Sequence, residues 1–187
     1  MKNDIDKAIE VLRQGGVILY PTDTIWGLGC DATNEEAVDR IYKIKQRNDQ
    51  KSLLILLDNA GKIPSYVGSV PDVAWDLIDF ATKPLTIIYN DAKNLALNLV
   101  SEDGSIGIRI PNDDFCQRLI QRFRKPIVST SANISGQNAP QNFSEINQEL
   151  LKLVDYVVDW KQDDFSKSQA SSIIKLGNGG EFKIIRE

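Results

Sequence analysis

The sequence predicts an α/β fold, layered in the α+β manner, in which helices flank a twisted and mostly mixed β-sheet. Short apolar runs of strand length alternate along the chain with segments whose apolar residues recur at helical spacing. Two apolar runs near the end are joined by residues 177–180, a Gly-rich turn typical of a hairpin, which indicates at least one antiparallel pair. A chain of 187 residues suits one core, so we expect a single domain over residues 1–187.

Helices are predicted where apolar residues recur every three to four positions. The helical segments, in order, are 5–12, 33–42, 73–82, 115–123 and 144–153. Gly15 and Gly16 predict the end of the first helix. Thr33 with Glu36 has the spacing of a capping box at the start of the second helix, and Ser144 predicts a cap on the last.

Strands are predicted where apolar runs are short and end at proline, glycine or polar residues. They cover residues 17–20, 53–57, 85–89, 105–110, 127–129, 172–176 and 182–185. Four polar segments lie where these strands end or where helices end or begin. Open α/β sheets usually bind their ligands at such places.

The composition excludes several classes of function. The sequence has no histidine, which excludes Ser-His-Asp and Cys-His catalysis and histidine-ligated metal, and we expect no protein metal site. A net charge of −4 argues against strong non-specific nucleic-acid binding but leaves a local basic groove open. Cys30 and Cys116 lack zinc-ligand spacing, the first ten residues lack a signal-peptide pattern, and no apolar run is long enough to cross a bilayer. We therefore expect a cytoplasmic protein.

Two of the polar segments are Gly-rich or basic. Residues 21–29, PTDTIWGLG, form either a Gly-rich turn, in which a threonine has its hydrogen bonds satisfied within the turn, or a binding loop. Residues 45–51, KQRNDQK, place three cations at a predicted helix exit. Such a run is usually a solvated helix end, because helix C-termini favour cations. The alternative is a phosphate clamp, for which arginine offers a planar fork and lysine a point charge.

The other two segments lie in or after predicted strands. Alternation along residues 105–111 puts Ser105, Gly107 and Arg109 on one face of a strand. Arg109 is then either a solvent-facing cation or a group that binds a substrate carboxylate. Residues 129–136, STSANISG, form either an ordinary polar turn or a cradle of hydroxyls and backbone N–H groups for an anion.

One glycine pattern favours a different class of protein. Residues 27–32 match G-x-G-x-x-A, and Asp58 follows the next predicted strand as a ribose-binding acid does, which favours an NAD-type dinucleotide-binding fold. The match is poor because six residues separate the first strand from Gly27, whereas the turn in such folds follows its strand directly. A G-x-x-x-x-G-K-[S/T] phosphate loop is absent from the sequence.

Taken in order, four blocks resemble the YrdC/Sua5 family of L-threonylcarbamoyladenylate synthases. The blocks are GGVILYPTDTIWGLGCDA, KIKQRNDQKSLLIL, SIGIRIP and IVSTSANISG, followed by residues 171–174. Each block is weak alone, but the ordered set is specific and runs from about residue 9 to residue 186. The resemblance implies the YrdC-like fold in its single-domain bacterial form. The departures from the family pattern are Trp26, Ser52, Leu56 and Ala139, and the absence of a short Pro/Gly segment after Arg186.

The resemblance assigns roles to residues at matching positions. Lys45 and Arg47 are implied to be the catalytic pair that faces the phosphates of ATP. The implied ATP-binding residues are Arg47, Lys51, Ser105, Ser131, Asn133 and Arg186. The implied L-threonine-binding residues are Thr24, Arg109, Ser129 and Ser171.

The reaction that the resemblance implies is a nucleotidyl transfer. L-threonine, bicarbonate or CO2, and ATP give threonylcarbamoyl-AMP and pyrophosphate, for N6-threonylcarbamoyladenosine modification of tRNA. Mg2+ is implied to arrive with ATP, and no tightly bound organic cofactor is implied. The implied partner is the downstream threonylcarbamoyl-transferase machinery acting on tRNA, with weak RNA binding left open and no membrane. The alternatives are a non-catalytic double-stranded RNA-binding protein of the same fold, which the net charge disfavours, and the NAD-type protein.

Overall fold

A mixed β-sheet forms the centre of the computed structural model, which describes residues 1–46 and 53–187. The strands are β1 Ile18–Tyr20, β2 Gly27–Gly29, β3 Leu54–Leu56, β4 Leu85–Tyr89, β5 Ile106–Arg109, β6 Ile127–Ser131, β7 Tyr156–Val157, β8 Ser172–Leu176 and β9 Phe182–Arg186. Their order across the sheet is β7-β1-β2-β6-β3-β5-β4-β8-β9. The pairs β1–β7, β3–β5 and β4–β8 are parallel and the other five are antiparallel. The predicted mixed sheet is confirmed.

Helices flank this sheet, as the apolar periodicity predicts. They are α1 Lys2–Arg13, α2 Glu35–Ile44, α3 Asp72–Asp79, α4 Asp114–Phe123 and α5 Gln148–Leu151, with short 3-10 helices at Ala60–Ser65, Leu97–Leu99 and Phe143–Glu145. The predicted stripe of α1, with Ile5 and Leu12, is buried, and α1 packs on α4, β1 and β7. Gln14 is the C-cap of α1, and Gly15 takes a φ of +76°, a left-handed conformation that favours glycine. None of these helices is long and apolar enough to cross a membrane.

Two predicted helix starts are wrong. Asn34, not Thr33, caps α2, because its side-chain oxygen accepts a hydrogen bond from the Ala37 N–H at 3.1 Å. Thr33 instead binds the carboxylate of Asp31 through its backbone N–H and its hydroxyl. The helix predicted over residues 144–153, with Ser144 as its cap, is only a 3-10 turn followed by the four-residue α5, which Asn147 caps instead. Its break comes at Ile146, whose backbone is extended at ψ 131° and so ends the helical run.

The Gly-Leu-Gly segment is a strand and not a turn. β2 pairs with β1 on one side and β6 on the other, both antiparallel. Glycine is required at Gly29, where an added Cβ would lie 2.6 Å from Cε1 of Tyr20 and 2.9 Å from the Val128 carbonyl oxygen. The NAD-type alternative is therefore wrong, because a dinucleotide fingerprint needs this glycine turn to lead from a parallel strand into a helix.

Candidate active site

A small cavity opens among β2, β3, β5, β6, β8 and β9 and holds most of the predicted site residues; we call it the front cavity. Six predicted residues line it, namely Thr24, Arg109, Ser129, Ser131, Ser171 and Arg186. Leu54, Trp26 and Ile173 add apolar wall. Its volume of about 160 Å³ is below the roughly 300 Å³ at which pockets for drug-sized ligands begin. The front cavity therefore suits a molecule of amino-acid size.

Arg109, the last residue of β5, lies in the wall of the front cavity and is only partly satisfied by the fold. Its side chain is 3% exposed. Nη1 donates to Oδ1 of Asp23 at 2.8 Å and to Oγ1 of Thr24 at 2.8 Å. Nε is buried and has no partner among the described residues. The Nε–H and the adjacent Nη2 group form the side-on fork of a guanidinium, which matches the two oxygens of a carboxylate.

Asp23 and Thr22 fix the geometry of that arginine, and sequence reasoning missed both. Asp23 accepts from Arg109 and, through Oδ2, from the Asn112 backbone N–H at 3.0 Å. The Thr22 hydroxyl donates to the Ile25 carbonyl at 2.9 Å, so in the 2.8 Å contact between the two threonine hydroxyls Thr24 must donate. Thr24 is thereby left as an acceptor for Arg109. The one sequence pattern that could have indicated them is an acid flanked by two threonines shortly after a buried strand.

Ser171 and Arg186 form the opposite side of the front cavity. The Ser171 hydroxyl lies 2.8 Å from Oγ1 of Thr86, and its carbonyl accepts from Nε and Nη2 of Arg186 at 2.9 and 2.6 Å. Partial burial lowers the pKa of Arg186, and the positive charge of Arg109 lowers it further. Two cations that repel each other across one small cavity favour an anionic ligand between them.

Lys45 ties α2 to the loop that follows β6. Its side chain is buried, and Nζ donates to the carbonyls of Ser131 at 2.7 Å and Asn133 at 2.9 Å. The Lys45 carbonyl in turn accepts from the Ser135 N–H at 3.0 Å. The amide of Asn133 donates to the carbonyl of Gln137, while its buried Oδ1 has no partner among the described residues. These contacts make Lys45 a support of the hydroxyl-rich loop, and its phosphate contact stays a prediction.

Among the described residues, three predicted ones do not line the front cavity, namely Lys45, Asn133 and Ser105. Ser105 directly precedes β5 and lies four residues, or about 13 Å along the extended backbone, from Arg109. Its hydroxyl donates to Oδ1 of Asp103 at 2.6 Å, and Ser105 is absent from the cavity wall. Arg47 and Lys51 lie outside the described residues. Within residues 1–46 and 53–187, no group of three or more acidic or cysteine side chains could hold a metal ion.

A second polar recess adjoins the front cavity, and no pattern in the sequence predicted it. It has a volume of about 160 Å³, and it shares Thr24 and Trp26 with the front cavity. Its far wall comes from the segments around Asn142 and Ser166, which are more than a hundred positions from Thr24. Trp26 packs there against Phe143, with ring centroids 4.8 Å apart. Pairing of such distant loops follows from the strand order and not from any local pattern.

Fold and site together define a class: an α/β protein whose small cavity offers two arginines and several hydroxyls to an anion of amino-acid size. A family model described as "Telomere recombination" and labelled Sua5, YciO and YrdC matches residues 10–187. The chain belongs to this Sua5/YciO/YrdC family, as the ordered sequence blocks predict.

Individual relatives support the same placement. A protein of Pseudoalteromonas translucida named threonylcarbamoyl-AMP synthase is 37% identical over 185 residues, which is 97% of this chain and 98% of the relative. The crystal structure of E. coli YciO has a TM-score of 0.86 at 27% identity and covers all of this chain and 90% of YciO. P. abyssi Sua5 complexed with L-threonine has a TM-score of 0.82 at 24% identity over 92% of this chain. This chain spans half of that longer Sua5 protein, and the likeness shows a shared fold.

Proposed function

We propose that this chain is an L-threonylcarbamoyladenylate synthase, which makes threonylcarbamoyl-AMP and pyrophosphate from L-threonine, bicarbonate or CO2, and ATP. Relatives that carry the name threonylcarbamoyl-AMP synthase support the reaction. The observation that carries the proposal is the unfilled fork of Arg109 in a cavity of amino-acid size. Thr24, Ser129 and Ser171 surround that fork with hydroxyl groups.

L-threonine binds with its carboxylate on Nε and Nη2 of Arg109. Asp23 and Thr24 hold the other side of the guanidinium, so the fork is oriented before the ligand arrives. Such preorganisation lowers the entropy cost of binding. A carboxylate held in this way is not available as a nucleophile, and the amine, which is a stronger nucleophile than the side-chain hydroxyl, is the group that reacts.

ATP binds outside the front cavity, because a volume of about 160 Å³ cannot enclose a nucleotide together with an amino acid. Ser131, Asn133 and Arg186 stand at the edge where the nucleotide would lie, and the unpaired Oδ1 of Asn133 offers an acceptor for an exocyclic amine or a hydroxyl. Arg47, Lys51 and Ser105 stay predicted contacts of ATP. Mg2+ travels as part of the substrate MgATP, since the carboxylate nearest the cavity, Asp23, is committed to Arg109.

The chemistry proceeds by charge neutralisation and alignment, which suits a sequence without histidine. The amine of L-threonine attacks bicarbonate or CO2 to form an N–C bond, with loss of water or a proton, and becomes a carbamate. A carbamate oxygen then attacks the α-phosphorus of ATP, and the bond to the β-phosphate oxygen breaks to release pyrophosphate. Both reactants are anions, so cations and hydroxyl donors lower the barrier more than acid–base groups do.

The product is a mixed anhydride and needs an acceptor. We place a tRNA adenosine at the end of the sequence of reactions, reached through a separate threonylcarbamoyl transferase. Direct RNA contact by this chain stays a prediction.

The test follows one labelled carbon atom. The protein is incubated with ATP, Mg2+, L-threonine and ¹³C-bicarbonate, and the products are identified by mass. The expected product is an adenylate that carries one ¹³C atom, with pyrophosphate formed only when all three substrates are present. An unlabelled threonyl-adenylate would mean that the carboxylate and not the carbamate attacks ATP, and it would overturn the proposal. Serine is a control that should react weakly, since a lost methyl contact costs only about 1–3 kcal/mol.

A further inference from the structure

A larger cavity lies on the opposite face of the sheet, and the proposed reaction does not use it; we call it the rear cavity. Its volume is about 430 Å³, within the range of roughly 300–1,000 Å³ that is typical of small-molecule sites. Its apolar wall is formed by Ile78, Leu85, Ile87, Tyr89, Ile108 and Ile110.

Strand alternation places the two cavities back to back. Successive side chains of a strand point to opposite faces. In β5, Arg109 faces the front cavity and its neighbours Ile108 and Ile110 face the rear cavity. In β4, Thr86 bonds to Ser171 at the front while its neighbours line the rear cavity. The two cavities are thus separated by the thickness of one sheet.

The mouth of the rear cavity is rich in hydrogen-bond donors that the fold leaves unused. Lys83 is exposed and has no ion pair among the described residues, and the side-chain amide of Asn112 has no hydrogen bond there. Within residues 1–46 and 53–187, the one carboxylate that lines the rear cavity is that of Asp23, which is already bound by Arg109 and by the Asn112 backbone N–H. The hydroxyl of Tyr89 is buried in the wall and has no hydrogen-bond partner in the described part of the chain. Burial raises the pKa of Tyr89, so its hydroxyl stays protonated and able to donate.

We propose that the rear cavity binds a small organic anion with an aromatic or branched apolar body and one carboxylate, and that this ligand weakens substrate binding at Arg109. The apolar body fills the space between α3 and the β4–β5 face, and the carboxylate lies at the mouth near Lys83 and Asn112.

The coupling runs through Asp23, which lines the rear cavity and bonds to the arginine of the front cavity. A second negative charge beside Asp23 reduces the positive potential at the guanidinium, and a substrate carboxylate is then bound less tightly. It also competes with Asp23 for the Asn112 N–H, which positions Asp23. The statement about L-threonine rests on the proposed function, whereas the rear cavity as a binding site does not.

The test uses indole-3-propionate as the probe and indole-3-propanamide as its neutral match, titrated calorimetrically into the intact chain. Indole-3-propionate should bind to the wild type and more weakly, by about fivefold, to Lys83→Glu. Lys93→Glu is the matched control, because Lys93 is also exposed and lies past the other end of β4, away from the cavity. Ala81→Trp places a large side chain at the exposed mouth and should abolish binding, with the melting temperature as a check on folding.

L-threonine affinity is then measured with and without saturating probe. The anionic probe should weaken L-threonine binding by about fivefold or more, L-threonine should weaken probe binding by the same factor, and the neutral amide should do neither. The site is overturned if the probe does not bind at about 5 mM, or if its binding survives Ala81→Trp. The coupling is overturned if L-threonine affinity is unchanged by bound probe. If L-threonine fails to bind even without probe, the proposed function fails, and the probe titrations still decide on the rear cavity.

Discussion

Arg109 combines deep burial with unfinished hydrogen bonding. Two of its five N–H groups are bound by Asp23 and Thr24, while Nε is buried without a partner among the described residues. An unsatisfied buried donor costs about 1–3 kcal/mol, and more when it is charged. A fold that keeps such a group at the wall of a cavity holds it ready for a ligand. Arg109 is therefore the residue on which the proposed function chiefly depends.

Arg109→Lys should abolish most L-threonine binding and leave the fold intact. Lysine keeps a charge beside Asp23 but cannot offer two parallel N–H groups to a carboxylate. Hydrogen bonds to charged groups are worth about 1.5–3 kcal/mol each, so the loss of the fork should weaken L-threonine about a hundredfold. Calorimetric titration of L-threonine measures this directly.

Two further variants make that result specific. Arg109→Gln leaves Asp23 without its cation and should also lower stability, by about 3–5 kcal/mol. Arg118→Gln removes an exposed arginine that pairs with Asp114 on α4, and it should leave both affinity and stability near wild type. Wild-type affinity in a folded Arg109→Lys protein would show that the carboxylate binds elsewhere.

The cysteines should be dispensable for the chemistry. Both are buried and free. Burial raises the pKa of Cys30, with the charge of Asp31 adding to it, and burial and then Asp113 do the same for Cys116. Neither thiol is therefore a thiolate at neutral pH, as the absence of histidine also predicts. Replacement of both by alanine should keep adenylate formation within a few-fold of wild type, at about 1 kcal/mol of stability each. A loss of several orders of magnitude in a folded double variant would contradict direct attack on ATP.

The buried carboxylate of Asp4 bonds helix α1 to β7 and to the residues that follow β7. Asp4 accepts hydrogen bonds from the hydroxyl of Tyr156 and the N–H of Asp159, both at 2.9 Å, and pairs with the amino group of Met1. Burial alone would raise the pKa of Asp4. The amino group and the two hydrogen-bond donors outweigh burial and lower it below the usual 3.8. The stabilisation is therefore complete above the unfolded pKa and is lost as the pH falls through the lower folded pKa.

Asp4→Asn should accordingly destabilise the protein in a pH-dependent way. The expected cost is about 1–3 kcal/mol at pH 7, because a buried charge-assisted network loses its negative charge. The difference from wild type should shrink below about pH 3.8, where the carboxylate of the unfolded wild type takes up a proton. Urea unfolding at several pH values measures it. Asp6→Asn is the control, since the Asp6–Arg122 pair is about half exposed and should contribute little at any pH. A pH-independent cost for Asp4→Asn would rule out the carboxylate network.

The elements that the sequence predicted well are those in which apolar side chains recur at a regular spacing. α1, α4 and the strands from β3 to β6 have apolar residues at the right period, and their bounds agree with the structure within a few residues. β2 was missed because Gly27 and Gly29 have no side chains to alternate and glycine is rare in strands. The glycines of β2 lie against the ring of Tyr20 in the neighbouring strand β1. This contact exists only after the strands are paired.

Some residues of the candidate site were likewise predicted from the sequence, and others were not. The family resemblance assigned Thr24, Arg109 and Ser129 to one site, and the structure brings all three into the wall of the front cavity. Asp23 lies 86 positions from Arg109, and nothing local in the sequence says that they form an ion pair. Ser105 was carried over by position alone and lies at the other end of its strand.

The sheet as a whole has two unequal edges. β9 carries Arg186 into the front cavity, where its guanidinium binds the Ser171 carbonyl, and β9 pairs with β8 at the end of the strand order. At the other edge, the two-residue β7 pairs with β1 and contributes nothing to that cavity. The part of the molecule that binds substrate thus reaches one edge of the sheet and not the other.

Ligand binding should therefore protect β9 from local opening and leave β7 unaffected. Edge strands open locally with less free energy than the centre of a sheet. An opening of β9 withdraws Arg186 from the front cavity, so a bound ligand must be weakened or released first. At a ligand concentration of about 100 times Kd this linkage adds up to roughly 2.7 kcal/mol, which slows exchange through that opening up to about a hundredfold. Hydrogen exchange of β9 amides with and without saturating L-threonine and ATP measures the effect, and β7 amides serve as the internal control. Arg186→Ala should remove the protection of β9 while the sheet stays formed, because the partly buried side chain of Arg186 fills no core position. Equal slowing at both edges would mean that the ligand acts only on global unfolding, and unchanged exchange in β9 would exclude Arg186 from the binding site.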